Sequence, residues 1–166
     1  MTGATAITRE ALGLRVSRTF AAPPERVFDA LSRASELARW WGPPSHPVVA
    51  CTVDFRPGGI WHYCLRGRAG DEVWARAVYR EIREPELVSY DETSSDATGA
   101  VTADRPGARV AIHLTRTAHG GTNFEAHLSY ADAADRDLAL RYGVERGFSA
   151  ALDLLDQHLR SPLEGD

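Results

Sequence analysis

The stretch from residue 135 to residue 160 constrains the fold of this chain more than any other part of the sequence. Its apolar residues recur at steps of three and four, a spacing that places them along one side of an α-helix. At ~1.5 Å per residue, such a helix would be roughly 35–40 Å long and could cross a whole small domain. We therefore expect one long terminal helix that covers the core of the protein. The apolar row consists of Leu138, Tyr142, Phe148, Leu152, Leu155 and Leu159.

Two glycines, Gly143 and Gly147, lie four residues apart inside this predicted helix. Each costs about 1 kcal/mol relative to alanine in a helix interior, so their presence needs a structural reason. Close packing of the helix on a strand is the interpretation that we favour. The alternative is that the glycines leave a space between the helix and the sheet.

The preceding sequence predicts an antiparallel sheet for this helix to cover. A first strand at 12–20 is followed by two short helices, near Val27 and near Leu37, and from residue 48 the apolar period changes from about four to two. Six further strands are expected between residues 48 and 130, joined as successive hairpins. The sequence therefore predicts an α+β helix-grip arrangement: a curved antiparallel sheet of about seven strands wrapped around a long C-terminal helix, with two short helices after strand 1.

The same pattern predicts the domain organisation. Residues 1–11 are small and polar and are expected to form a flexible N-terminal tail, and residues 161–166 a flexible C-terminal tail. Residues 12–160 are expected to form a single domain, because no linker, repeat or low-complexity boundary interrupts them. The segment 93–108 is polar and rich in glycine and alanine, and we expect it to be a mobile loop.

Composition argues against several classes of function. A net charge of −4 without a basic run gives no indication of nucleic-acid binding. No apolar stretch approaches the ~18–20 residues of a membrane helix, and no signal-peptide pattern opens the sequence, so we expect a cytoplasmic protein. Cys51 and Cys64 match no metal-binding or redox spacing and are expected to be buried free thiols. We expect no cofactor, no metal and no membrane partner, and no feature indicates a protein partner.

Short motifs spread over about residues 14–160 resemble those of a known family. In order they are RTFAAP at 18–23, VFDA at 27–30, WWGP at 40–43, RPGG at 56–59, YREI at 79–82, GGT at 120–122 and GF at 147–148. Together they resemble the START-like (SRPBCC, helix-grip) superfamily, in the branch related to the C-terminal domain of Aha-type activators of the heat-shock chaperone ATPase. Ala77 departs from the glycine that is usual in that branch, and the segment 93–108 is unusually long, so the mouth of a cavity could be reshaped.

The resemblance implies an apolar cavity between the sheet and the terminal helix. Members of the superfamily include carriers of small molecules, polyketide aromatase/cyclases, regulators of chaperones, and proteins that protect antibiotic producers from their own products. The fold alone does not select among these functions. Arg18 and Glu81 belong to the shared motifs and could form an ion pair, for which we expect a structural role.

Aromatic side chains supply most of the candidate ligand-binding residues, because they offer large rigid contact surfaces and Trp and Tyr add one polar group each. Alternation along the strands puts Trp61 and Tyr63 on one face, and we expect that face and the face of Phe124 to point towards the terminal helix. The pattern does not rank the two faces of strand 73–82. Plain core packing is the alternative for every aromatic residue. The predicted ligand-binding residues are Trp40, Trp41, Trp61, Tyr63, Trp74, Tyr90, Phe124, Val144, Gly147, Phe148 and Leu152.

The sequence contains no spacing typical of a catalytic site. Arg66, Tyr90 and His113 are the residues that could polarise a carbonyl group, judged from residue type alone. His113 and His127 would lie opposite each other if the last hairpin turns on three residues. No third metal ligand accompanies them, so we expect a solvated pair and no metal site.

We expect the protein to bind a hydrophobic, aromatic or polyketide-like small molecule in the cavity. One alternative is a polyketide aromatase or cyclase, whose chemistry would depend on positioning a flexible chain. Another is self-resistance, in which the protein sequesters or reacts with a toxic secondary metabolite such as an enediyne. Regulation of a chaperone ATPase is the weakest alternative, because the sequence lacks the additional N-terminal domain that Aha-type activators carry.

Overall fold

The computed structural model describes residues 3–161, which form an antiparallel sheet and four helices. The sheet is continuous, and its strand order is β1-β2-β8-β7-β6-β5-β4-β3. The elements are β1 (Ala6–Glu10), β2 (Gly13–Phe20), α1 (Pro24–Ser32), α2 (Ala34–Trp40), β3 (Val48–Val53), β4 (Ile60–Arg66), β5 (Glu72–Arg83), β6 (Leu87–Ser94), β7 (Ala108–Arg116), β8 (Thr122–Ser129), α3 (Ala133–Arg141) and α4 (Val144–Arg160).

The inner face of the sheet and the terminal helix α4 enclose the core, as the sequence predicts. Strand β2 shows why, because alternate residues such as Leu14 and Val16 are buried while Arg15 between them is exposed. Leu152 and Leu155 of α4 have no exposed surface. The short helices α1 and α2 pack against each other and against α4. The predicted α+β helix-grip fold is confirmed.

The sheet has eight strands where the sequence predicted about seven. The additional strand is β1, which lies within the predicted N-terminal tail 1–11 and pairs with β2 from Ala6 opposite Ser17 to Glu10 opposite Gly13. Most of its side chains are exposed, so it carries no alternation of buried residues that the sequence could reveal. Backbone hydrogen bonds to the edge of β2 hold it instead. The predicted C-terminal tail lies outside the described residues, apart from Ser161.

The single long helix predicted over residues 135–160 is wrong. The chain forms two helices there, and the break falls at Gly143, whose φ of +88° is left-handed backbone that non-glycine residues rarely adopt. The apolar period continues through the break, which is why the sequence pattern did not reveal it. None of the four helices within the described residues has the length and apolar character of a membrane-crossing segment.

The close-packing interpretation of the two glycines is also wrong. A Cβ atom built at Gly143 or at Gly147 would meet no other heavy atom within 4 Å. Gly147 therefore lies beside open space within α4. The alternative interpretation, a space between the helix and the sheet, fits Gly143, which borders a cavity there, but not Gly147, which does not line that cavity.

The segment between Ser94 and Ala108 is a compact, hydrogen-bonded loop, although the sequence predicted a mobile one. The Ser94 hydroxyl donates to the carbonyl oxygen of Thr102 at 3.0 Å and accepts from the backbone N–H of Asp104 at 3.1 Å. The Arg105 guanidinium donates to the carbonyl oxygen of Trp74 at 3.0 Å. Hydrogen bonds of this kind leave no periodic pattern of apolar residues in the sequence. They hold the end of the loop against the sheet.

Two buried ion-pair clusters tie α4 to the rest of the fold. Arg18 pairs with Asp153 and lies 3.6 Å from Asp156, while its own side chain is 8% exposed. The predicted pair between Arg18 and Glu81 is wrong, because Glu81 lies on the exposed side of β5 and pairs with Arg83. The second cluster joins Arg26 of α1, Glu36 of α2 and His158 of α4.

Candidate functional site

The aromatic side chains of the inner sheet face form one connected group. Trp61, Tyr63 and Phe124 point inward as predicted, and each is at most 5% exposed. Ala75, Ala77 and Tyr79 lie on the inner face of β5 and are buried. The sequence did not indicate which of the two faces of this strand points inward.

Trp74 is the predicted site residue that the structure places elsewhere. It lies on the outer face of β5, where its ring stacks on His62 with the centroids 5.0 Å apart. Its indole N–H donates to Glu72 at 3.1 Å. Alternation on β5 is compatible with either face pointing inward. In the structure the small alanines of β5, rather than the tryptophan, point into the interior. Trp74 therefore does not contribute to an interior site.

A cavity of about 220 Å³ lies between the junction of α3 and α4, the inner face of β6 to β8, and the end of the loop at residues 105–108. It brings together four of the predicted site residues, Trp41, Tyr90, Val144 and Phe148. The remaining wall consists of Glu92, Arg105, Pro106, Ala108, Val110, Leu128, Tyr130, Ala139, Tyr142 and Gly143. This arrangement offers a ligand a mostly apolar and aromatic surface with a few polar groups.

Trp41 connects the cavity wall to the aromatic group behind it. Its ring lies edge-on to Trp61, Tyr63 and Phe148, with centroid distances of 4.6, 6.1 and 6.0 Å. Edge-to-face contacts of this kind fix ring orientation as well as burying apolar area. Trp61 and Tyr63 thus form a second layer that holds Trp41 in place.

The other predicted binding residues belong to the core. Trp40 is 1% exposed, and its indole N–H donates to the carbonyl oxygen of Ala30 at 2.9 Å. Phe124 and Leu152 have no exposed surface, and neither lines the cavity. Gly147 lies one residue before Phe148 but is not part of the cavity wall. Trp40, Phe124 and Leu152 are therefore core residues rather than ligand-binding residues, and Gly147 is part of the helix.

Glu92 is the principal polar residue of the cavity, and the sequence analysis did not select it. The Tyr63 hydroxyl donates to its carboxylate Oε2 at 2.7 Å. Enclosure by the surrounding side chains raises the pKa of Glu92, although the Tyr63 hydrogen bond and the charge of Arg105 act in the opposite direction. The alternation that places Tyr90 inward also places Glu92 inward, two residues later on the same strand.

Three tyrosines respond electrostatically to Glu92. Burial, and then the negative charge of Glu92, raises the pKa of Tyr63 and of Tyr90 well above the usual value for a phenol. The same two causes raise the pKa of Tyr130 to about 12. The hydroxyl groups therefore stay protonated at neutral pH and serve as hydrogen-bond donors and acceptors.

Five buried polar side-chain atoms have no hydrogen-bond partner within the described residues, and two of them belong to the aromatic group of the inner sheet face. These two are the indole Nε1 of Trp61 and the hydroxyl of Tyr79. Cys51 lies nearby on β3 as a partly buried free thiol, and burial raises its pKa, so it is a poor nucleophile.

The structure does not bring the predicted catalytic candidates together. Tyr90 lines the cavity, but Arg66 is exposed and pairs with Glu72, and His113 is exposed on the outer face of β7. His113 is paired in register with Glu125 rather than His127. The backbone N–H of Thr117 donates to the carbonyl oxygen of Gly121, so the three-residue turn is 118–120, one residue earlier than pairing of the two histidines requires. The two imidazole rings are still 5.8 Å apart. No group of three or more His, Cys, Asp or Glu side chains within residues 3–161 is arranged to hold a metal ion.

A larger depression of about 440 Å³ lies on the outer surface, between the start of α1 and the turn from β5 to β6. Its wall includes the charged residues Glu25, Arg83, Glu86 and Arg116, and Glu25 pairs with Arg116. Charged side chains that satisfy one another present little apolar surface to a ligand. The interior cavity is therefore the candidate site.

Comparisons with known proteins agree with this architecture. The sequence model of the family described as Activator of Hsp90 ATPase homolog 1-like protein matches residues 21–160. Protein Ms6760 from Mycobacterium smegmatis is 27% identical, with a TM-score of 0.85, and the match covers 99% of this chain and 100% of that chain. A protein from Arthrobacter aurescens is 22% identical, with a TM-score of 0.87 and coverage of 95% and 92%. Protein NE0264 from Nitrosomonas europaea is 21% identical, with a TM-score of 0.80 and coverage of 92% and 97%. No curated protein matches the sequence significantly.

Proposed function

The chain belongs to the family of Activator of Hsp90 ATPase homolog 1-like proteins, a START-like fold family that commonly binds hydrophobic ligands, and we propose that it binds a hydrophobic aromatic or polyketide-like small molecule. The observation that carries the proposal is the cavity of about 220 Å³ between the sheet and the junction of α3 and α4. Apolar cavities on the order of 150 Å³ hold a benzene molecule in other proteins. A compound of one or two fused rings is therefore of suitable size.

The chemistry of the wall supports an aromatic ligand. Trp41 and Phe148 present ring surfaces, and Val110, Val144 and Leu128 supply aliphatic surface around them. Aromatic walls bind flat ring systems through offset and edge-to-face contacts as well as through burial of apolar area. Because the second aromatic layer holds Trp41 in place, little side-chain entropy would be lost when a ligand binds.

The access route in this proposal lies beside Tyr142, at the break between α3 and α4. Tyr142 is 60% exposed although its side chain lines the cavity. Its hydroxyl donates to the carbonyl oxygen of Asp104 at 3.3 Å, and this long hydrogen bond joins the helix junction to the loop. A ligand would enter by separating these two segments.

The direct test fills the cavity from β7. Ala108 points into the cavity, and Ala111 points to the outer face three residues later on the same strand. We expect Ala108→Leu to weaken binding of naphthalene about tenfold or more, because the added atoms occupy the ligand's volume. Ala111→Leu adds the same atoms outside and should leave the dissociation constant within about twofold of the unmodified protein.

Isothermal titration calorimetry on both variants decides the outcome, with circular dichroism to show that each is folded. Equal affinity for naphthalene in a folded Ala108→Leu variant and in the unmodified protein would contradict the cavity as the binding site.

A second candidate function is cyclisation of a polyketide, and Glu92 is the observation that favours it. An enclosed carboxyl of raised pKa that is hydrogen-bonded to Tyr63 has the properties of a proton donor or acceptor. If this function is present, the protein should accelerate aromatisation of a poly-β-keto thioester, and Glu92→Gln should abolish the acceleration. A rate no greater than that in buffer would eliminate this candidate.

A further inference from the structure

The polar groups of the cavity wall are concentrated around the side chain of Glu92. Tyr63 binds its Oε2 atom at 2.7 Å, and Tyr90 and Tyr130 lie close enough for its charge to act on their hydroxyls. Trp41, Val144 and Phe148 belong to the apolar part of the wall. We refer to the groups around Glu92 as the polar end of the cavity, and to the side chains of Val144 and Phe148 as its apolar end.

Glu92 has unused hydrogen-bonding capacity at this polar end. Within residues 3–161 its Oε1 atom accepts no hydrogen bond from any side chain or backbone group, while Oε2 accepts the bond from Tyr63. Each carboxylate oxygen can accept two hydrogen bonds. Glu92 is half-buried and its free oxygen is accessible from the cavity, so a ligand donor could occupy it.

The tyrosines beside it have the same property. Tyr90 is 2% exposed and Tyr130 is 7% exposed, and both line the cavity. In the described part of the chain, neither hydroxyl forms a hydrogen bond. A group that donates to Glu92 would therefore have phenol oxygens and protons near it.

The charges around the cavity restrict the kind of group that could bind. A ligand carboxylate would face the Glu92 carboxylate and be repelled at short range. A ligand ammonium group would be attracted by Glu92 but repelled by Arg105, whose positive charge already lowers the pKa of Glu92. Arg105 itself donates to the carbonyl oxygen of Trp74. An uncharged donor avoids both repulsions.

We propose that the ligand is an uncharged aromatic compound with a phenol or alcohol hydroxyl, which donates a hydrogen bond to Glu92 while the rings occupy the apolar end of the cavity. This inference rests on the proposed function, since it assigns a ligand class to the same cavity.

The test uses four compounds that differ in one substituent at the same ring position: naphthalene, naphthol, methoxynaphthalene and naphthoate. Calorimetric titration of the full chain should show that naphthol binds about tenfold more tightly than naphthalene or methoxynaphthalene, because only naphthol donates a hydrogen bond. Naphthoate should bind more weakly than naphthol. This comparison needs no variant, so it does not depend on the folding of a mutant.

Variants then assign the effect to Glu92. In Glu92→Gln the ratio of the naphthalene and naphthol dissociation constants should fall to about threefold or less, because a neutral acceptor replaces a carboxylate. Glu81→Gln, on the exposed side of β5, should retain the full advantage.

The outcomes separate this inference from the proposed function. Equal affinities for naphthol and naphthalene would overturn the inference and leave hydrophobic binding in the cavity intact. Tightest binding of naphthoate would also overturn it, because an anion would then be the recognised group. Absence of binding for all four compounds would contradict the proposed function and the inference together.

Discussion

At the scale of single residues, Gly143 and Gly147 have different effects on the same part of the chain. Gly143 has left-handed backbone, which costs roughly 1–2 kcal/mol for a residue with a Cβ atom. Gly147 has ordinary helical backbone within α4 and open space beside it. The first glycine makes the break between α3 and α4, and the second only lowers the stability of the helix.

Alanine substitutions should therefore have opposite effects at the two positions. Gly143→Ala should lower the free energy of unfolding by about 1–2 kcal/mol, because the backbone would be strained. Gly147→Ala should raise it by roughly 0.5–1 kcal/mol, because alanine favours helix and its Cβ atom meets no neighbour within 4 Å. Urea denaturation measures both changes, and destabilisation by Gly147→Ala would contradict the described environment of α4.

Single residues also show what the sequence could and could not predict of the site. Alternation on β4 correctly placed Trp61 and Tyr63 inside, and Tyr90 of β6, selected only as an aromatic residue, is also buried. The same alternation includes Glu92, but charged residues are seldom enclosed, so composition alone argued against it. Arg105 reaches the cavity from an irregular loop, where no period exists to reveal it.

At the scale of elements, one ion-pair cluster joins three helices. Glu36 of α2 accepts from Arg26 of α1 and from His158 of α4, and the side chains of Glu36 and His158 are each 10% exposed. Burial tends to raise the pKa of Glu36, but the hydrogen bonds from His158 and Arg26 outweigh it, so the pKa is lowered from 4.5. The cluster therefore holds α1 and α2 against α4 only while Glu36 is ionised.

The sign of the pH dependence follows from that lowered pKa. The unfolded chain binds a proton at Glu36 more readily than the folded protein does, so stability is present above the unfolded pKa and is lost as pH falls through the lower folded value. We expect the free energy of unfolding of Glu36→Gln to fall less steeply than that of the unmodified protein as the pH decreases below about 4.5. Urea denaturation between pH 3 and pH 7 tests the expectation, and an acid profile parallel to that of the unmodified protein would contradict it.

The same cluster should contribute more to the free energy of unfolding than an ion pair on the surface does. Glu36→Ala leaves the largely buried Arg26 without its partner and should cost about 3 kcal/mol at neutral pH. Glu81→Ala removes a pair in which both side chains are about 60% exposed and should cost less than about 1 kcal/mol. Equal losses for the two variants would mean that the cluster does not anchor the helices.

The element order of the fold was predictable, whereas its irregular features were not. Period-two and period-four patterns identified seven of the eight strands and the terminal helical region, because burial of one face imposes that period. Strand β1 is almost fully exposed, and the break at Gly143 keeps the period, so neither left a signal. Strand β1 depends on backbone hydrogen bonds, and the break at Gly143 depends on backbone conformation. Neither depends on side-chain burial.

At the scale of the whole molecule, the sheet and helices enclose a cavity whose walls come from distant parts of the sequence. Trp41 follows α2, Tyr90 lies on β6, and Phe148 lies on α4, so only the folded topology brings them together. The sequence predicted a cavity through resemblance to a family, but its volume and polar end depend on the loop 95–107 and on the break at Gly143. We propose that this cavity, rather than an outer surface, binds an aromatic molecule.

Backbone amide shifts recorded by NMR during titration with naphthol distinguish binding in the cavity from binding on the outer surface. We expect the largest shifts at Trp41, Tyr90, Glu92, Ala108 and Phe148, with the outer depression around Glu25 and Arg116 unaffected. Shifts concentrated at that depression, or no shifts in a folded protein at saturating naphthol, would contradict the account.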